Sequence, residues 1–330
     1  MRELVVPDPL STTATVAVVS LSSNVPALVP RRLQRGIDSL RGVGFQVREA
    51  THLADSRFPS TETIASRLSD LHHAYAGPAS AVFSAIGGWA SHQILESIDD
   101  RLVRDSPRWF IGYSDVTSVH LHLLSRVGVA GVYGPAILPQ FGEPGGVDGY
   151  TLESLLSATR GLRYDMQYPA AMTASVSLWD IDDDRPRART PYAGPTLLRP
   201  GTGSGPTVAA NLETLLTHAG TETWPDLKDR LLFIEISDAA SDTQALRLIH
   251  QLSRQPYFRH LAGLAFGSLA PRSPIDAAGL YARALEISTG TSFPIVANLP
   301  FGHVDPMASI PVGVPGRLSA SSERVTVQFY

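Results

Sequence analysis

The apolar positions of this chain fall into short unbroken blocks separated by stripes at helical spacing. Val16-Ala-Val-Val-Ser-Leu21 has the pattern of a strand buried on both faces and is followed by a Ser/Asn/Pro segment. Leu33, Ile37 and Leu40 then recur on one helical face, with Gly42 and Gly44 placed to end that helix. Phe45-Gln-Val-Arg alternates as a second strand, and a helix capped at Ser60 carries Ile64, Leu68, Leu71 and Tyr75 on one stripe. Ala81 to Ile86 predicts a third strand that runs directly into Gly87-Gly88, before a short helix with Ile94, Leu95 and Ile98 inward. Trp109-Phe-Ile111 and Val129 to Tyr133 complete the series. Strands alternating with helices in this way predict a parallel sheet covered by helices.

From Arg163 to Pro206 the apolar repeat lapses. Prolines and glycines become frequent and Asp180 to Arg189 mixes acidic and basic residues, so residues 163–206 are expected to link a first domain, 1–162, to a second, 207–330. Patterning resumes with a helix start at Asn211, a strand from Arg230 to Ile236, a helix from Thr243 to Leu252, and strands at Leu261–Phe266 and Phe293–Ala297. Gly316 to Tyr330 alternates as a closing hairpin.

Composition narrows the function classes. A chain of 330 residues fits two domains, and 43% apolar with 18% charged residues is an ordinary globular balance. The net charge of −4 argues against nucleic acid or an anionic membrane as the main partner. With no cysteine there is no disulfide, thiolate nucleophile or cysteine metal site. The N-terminal apolar run is too short for a signal segment or a membrane span, so a soluble, cytoplasmic protein is expected. Gly201-Thr-Gly-Ser-Gly205 lacks the Lys-Ser/Thr of a phosphate loop, and no histidine pair has metal-ligand spacing. No cofactor and no metal are expected.

The stretch Trp109 to Leu124 carries the chemistry. It reads as a strand, a tight Gly112-Tyr-Ser-Asp115 turn and a helix, which lifts Ser114 out of the sheet's carboxyl edge beside a helix N-terminus. Ser114, Asp115 or Thr117 as a simple helix cap is the plainer reading of the same residues. Gly87-Gly88 ends a neighbouring strand and is expected to face this turn. Glu235 lies inside an apolar strand, where an ionised carboxylate needs a partner: either a structural Arg or Lys, or an imidazole that it orients. His303 stands apart from the helical histidines, in a Gly- and Pro-bounded loop after a strand. Trp179, alone in the linker, either pins that loop or stacks on a planar ligand.

Taken in order, Gly87-Gly88, Phe110 to Thr117 and Tyr133-Gly-Pro135 resemble the amino-terminal half of the LD-carboxypeptidase family of serine peptidases. Asn211-Leu212, Leu232 to Glu235, and Phe301-Gly-His303 with Ile310 to Gly313 resemble its carboxy-terminal half. The resemblance implies a triad with Ser114 as nucleophile, Glu235 orienting and His303 as general base. It implies an oxyanion hole at the backbone N–H groups of Gly88 and Asp115, with substrate contacts at Trp179 and Asn211. It also implies a homodimer acting on a small peptide or peptidyl-nucleotide. The expected fold is α/β, a flavodoxin-like parallel-sheet domain followed by a smaller α/β domain with a barrel-like sheet. One family branch trims D-alanine from murein tetrapeptides. The other resembles microcin C self-immunity proteins, which cleave an acidic residue from a nucleotide mimic and carry a tryptophan-bearing loop between domains. The length and Trp179 favour the second branch. Ala209-Ala210 replaces the usual Gly-Gly before Asn-Leu, and no Lys or Arg lies between Glu235 and Arg247, so a phosphate ligand would come from elsewhere.

Overall fold

The computed structural model describes residues 3–161 and 163–330; Leu162, the last residue of the expected first domain, lies outside the described residues. Strands β1 (Thr15–Val19), β2 (Gln46–Glu49), β3 (Ala81–Ser84), β4 (Trp109–Gly112) and β5 (Gly131–Tyr133) pair in parallel in the order β2-β1-β3-β4-β5. The unbroken apolar blocks β3 and β4 are buried at every position, whereas the alternating β2 is the mostly exposed edge. The helix Pro30–Val43 covers one face with Leu33, Ile37 and Leu40 inward, and Ile64–Ala76 covers the other through Leu71 and Tyr75. The expected helix after Gly88 forms as a 3-10 helix, Ser91–Ser97.

The linker is shorter than its composition predicts. Tyr164–Asp165 (β6) joins the second sheet, and Ala171–Thr173 (β7) with Arg189–Pro191 (β8) makes a small hairpin. Thr196–Arg199 (β9) and Gly201–Asn211 (β10) are already strands of the second sheet. Gly203 and Gly205 explain why β10 escapes notice: a Cβ there would sit 1.7 Å from the Ala262 carbonyl oxygen and 1.9 Å from that of Asp229. The Gly-Thr-Gly-Ser-Gly run is a strand crossing tightly over other backbone, so its inward positions lack the side chains that periodicity needs.

The rest of the chain supplies β11 (Leu231–Glu235), β12 (Gly263–Gly267), β13 (Ile295–Leu299), β14 (Ile310–Val312), β15 (Pro315–Ala320) and β16 (Val325–Phe329). The eight-stranded order is β6-β16-β15-β10-β11-β12-β13-β9. β10 pairs antiparallel with β15 along Gly201–Pro206 and parallel with β11 along Thr207–Asn211. The tail forms the expected hairpin.

β14 is the departure with most consequence. Ile310-Pro-Val312 was expected within a loop, yet it pairs antiparallel with β5 as the outer strand of the first sheet. Pro311 has no N–H to donate and so suits an edge position. The two sheets also share one apolar cluster, in which Ile111, Tyr133 and Ile310 meet Phe233, Val296 and Phe301. Among the described residues, no helix is long and apolar enough to cross a membrane.

Candidate active site

β4 ends at Gly112, and the chain then turns through a 3-10 segment, Ser114–Val116, into the helix Thr117–His122. Ser114 sits at φ 66, a conformation costly for a non-glycine residue and one that projects its hydroxyl from the turn. Its N–H donates to the Tyr133 hydroxyl (3.0 Å). The Asp115 N–H follows it in the first turn, where intrahelical acceptors are missing. Asp115 itself is held by Ser91, whose N–H donates to Oδ2 (2.8 Å) and whose hydroxyl donates to the Asp115 carbonyl (2.7 Å). Gly87 lies against this turn: a Cβ there would be 2.7 Å from Ser114 Cβ, 3.0 Å from its Oγ and 3.3 Å from the Asp115 nitrogen. Ser23 fixes the glycine pair by donating to the Gly87 carbonyl (3.0 Å). The two turns face one another, as their places at strand ends predict.

His303 arrives from the second half of the chain. Its Nε2 is 3.1 Å from Ser114 Oγ and its Nδ1 is 2.7 Å from Glu235 Oε2. Glu235, the last residue of β11, is 2% exposed, and its other oxygen accepts from the Tyr133 hydroxyl (2.6 Å). Its hydrogen-bond partners among the described residues are therefore an imidazole and a phenol. Burial would lower the His303 pKa, but Glu235, with Asp238 and Glu213 behind it, outweighs this and holds the imidazole above its ordinary value. The Tyr113 ring packs edge-on against it at 5.1 Å. Chemically, this is a hydroxyl in contact with a base whose far nitrogen is fixed by a carboxylate.

Tyr133 ties the two ends together, accepting from Ser114 N–H and donating to Glu235. Sequence reasoning gave it no role; the lone signal is a tyrosine ending an apolar strand before Gly-Pro. Burial, then Glu235, raises its pKa well above that of a free phenol, which keeps it a donor. Tyr133→Phe should orphan the Ser114 N–H and one Glu235 oxygen together, costing about 1–3 kcal/mol of stability per group. Chemical denaturation of the variant checks the loss, and an unchanged midpoint would show that the bridge contributes nothing.

Residues 16–134 match the N-terminal domain of LD-carboxypeptidases, peptidase family S66, and residues 204–318 match the C-terminal domain. The chain belongs to the LD-carboxypeptidase family. A relative from Streptomyces coelicolor that carries the name of a carboxypeptidase is 30% identical, over 99% of this chain and 97% of its own. The microcin C7 self-immunity protein MccF of Escherichia coli is 25% identical over 97% and 94%. The crystal structure of an MccF-like protein from Bacillus anthracis superposes with a TM-score of 0.91 at 25% identity, covering 98% and 99%.

In this serine peptidase, Ser114 opens onto a cavity of about 970 Å³ between the two sheets' loops. Gly88, Asp115 and Asn211 line it. Asn211 caps the helix Leu212–Thr217 by accepting from the Thr214 N–H (2.9 Å), and its amide donates to Glu213 (2.9 Å). Trp179 is placed elsewhere: Arg32 stacks over its indole at 4.5 Å, and it does not line the Ser114 cavity. Asp180, next to it, receives the backbone N–H groups of Arg31 and Arg32 (2.8 Å each). The aromatic residue on the cavity wall is Trp89, directly after Gly88; it is 46% exposed and lies 5.2 Å from the ring of Phe58. Sequence reasoning missed it, although a tryptophan beside the glycine pair was the available signal. Of the helical histidines, His120 is buried and its pKa falls to about 4 for that reason. Among the described residues, no group of three or more His, Asp or Glu is arranged to hold a metal ion.

Proposed function

We propose that this chain is a cytoplasmic, homodimeric serine hydrolase that cleaves an amide-type bond next to a carboxyl-bearing residue. The observation that carries the reading is the His303 imidazole in contact with Ser114 on one side and Glu235 on the other. His303 takes the Ser114 proton as Oγ attacks the scissile carbonyl, and Glu235 stabilises the imidazolium through Nδ1–H. The N–H groups of Gly88 and Asp115 donate to the oxyanion; the Ser114 N–H is committed to Tyr133. His303 then protonates the leaving nitrogen, and a water activated by the same imidazole releases the acyl group.

The substrate we favour is an acyl- or peptidyl-nucleotide, hydrolysed as a detoxification or self-immunity step. Trp89 supports this, because its half-exposed indole lies on the cavity wall beside Gly88, where a base can stack, and Phe58 packs against it from behind the wall at 5.2 Å. A second reading is murein tetrapeptide trimming in cell-wall recycling. What favours it is the charge of the wall: Ser237, Ala239 and Ala240 follow Glu235, and Arg126, on the same wall, is already engaged by Glu222 and Asp100.

Turnover of an aspartyl-adenylate mimic and of a murein tetrapeptide tests the pair directly. Trp89→Ala should raise KM for the adenylate mimic by ~10-fold or more, the scale of one base–aromatic stack, and leave the ring-free tetrapeptide unchanged. Cleavage of the tetrapeptide alone would reject the nucleotide reading, and cleavage of neither would reject both.

A further inference from the structure

The residues between the two domains build a structure that the proposed reaction does not use. Asp183, in the surface segment after Trp179, is buried and bonded to Arg32 (2.9 Å) and Arg35 (2.5 Å), both from the helix Pro30–Val43. Arg32 is wholly buried; it also donates to the Leu138 carbonyl (2.7 Å) and forms an ion pair with Glu143. The second oxygen of Glu143 receives Arg187 Nε (2.9 Å), and Arg187 Nη2 reaches Asp305 Oδ2 (2.7 Å). Asp305 is two residues past His303. Alternating charges thus run without a break from the first domain's helix, through the connecting segment, into the loop that carries the imidazole.

We propose that Arg187 is a positioning residue for His303, and that the connector works as a strap whose docked state sets the imidazole against Ser114. Asp305 is 3% exposed, and its Oδ1 has no partner among the described residues, so Arg187 holds this carboxylate through a single oxygen. Burial pushes Asp305 up to about 6 while Arg187 pulls the other way, so the guanidinium favours the charged carboxylate at neutral pH. The Asp305 backbone is joined to the connector as well, its carbonyl accepting from the Thr173 N–H (2.7 Å). Arginine suits the post because one planar fork satisfies Glu143 and Asp305 together, which a lysine point charge does less well.

The proposal rests on the hydrolase reading, and reaction with a small fluorophosphonate separates the two. That probe reports how strongly His303 activates Ser114 and fills little of the cavity. Wild type should label, and Ser114→Ala should not. Arg187→Ala should label about 10- to 100-fold more slowly, the range for a lost positioning contact. Its kcat should fall in parallel while KM stays near wild type, and Arg187→Lys should recover part of the rate. Asp305→Asn keeps volume and an acceptor, and should slow labelling less than Arg187→Ala; it replaces the alanine variant if that one does not fold. Wild-type labelling rates in folded Arg187→Ala or Asp305→Asn would overturn the strap alone. Failure of wild type to label would remove both readings.

Discussion

Ser114→Ala should fold normally and lose turnover by on the order of 10⁴-fold or more, since triad removal leaves only the rate that binding and the oxyanion donors provide. Normal folding is expected because the hydroxyl's contact is the 3.1 Å one to His303, while the turn is held by backbone and neighbouring side chains: the Ser114 N–H to Tyr133, and Asp115 to Ser91. Alanine keeps the Cβ but meets the same unfavourable φ of 66 without a polar side chain in return. Circular dichroism and a melting curve should match wild type within a few degrees. Near-normal turnover in the variant would remove Ser114 as nucleophile, and a binding protein that does no chemistry would show no turnover in either form.

Glu235→Gln should slow turnover by about 10³- to 10⁴-fold, the scale found when an orienting carboxylate becomes an amide. The surroundings make the change worse than a lost charge. Glu235 accepts from His303 on one oxygen and from Tyr133 on the other. A glutamine has one oxygen, so either the imidazole or the phenol meets an N–H₂ group instead, and Tyr133 already accepts from Ser114. The pH profile should move with it. The raised pKa of His303 places the acid limb of kcat/KM above the ordinary imidazole value of about 6.5, with activity lost as pH falls through it. Removing the carboxylate leaves burial as the dominant influence, which favours the neutral ring, so the limb should shift downward. An unmoved limb would make Glu235 a buried structural charge.

Legibility from sequence followed the density of side-chain information. Buried parallel strands are runs of Val, Ile and Phe, and the helices between them carry an apolar residue on each turn of one face, so the first sheet could be read almost strand by strand. Ser114, Glu235 and His303 each broke a local pattern, with a polar turn after an apolar strand, a charge inside one, and a lone histidine in a Gly/Pro loop. The failures have the same cause in reverse. β10 presents glycines where its inward side chains would be, and β14 is three residues long with a proline at its centre. That Arg32, in the first domain's helix, covers Trp179 is a contact across distant sequence that no local pattern shows. Tyr133 and Trp89 were missed because their importance lies in what the fold brings beside them.

The return of the chain to the first sheet bears on when the enzyme becomes active during its own synthesis. His303 meets Ser114 across 189 positions of sequence, and Ile310–Val312 closes the outer edge of the sheet that holds the serine. A nascent chain that has extruded only as far as β5 holds Ser114 with neither the His303 imidazole nor the far edge of its sheet. In the reaction proposed above, nucleophile and base can therefore meet only once synthesis has passed His303, well beyond the residues that complete the parallel strands around Ser114.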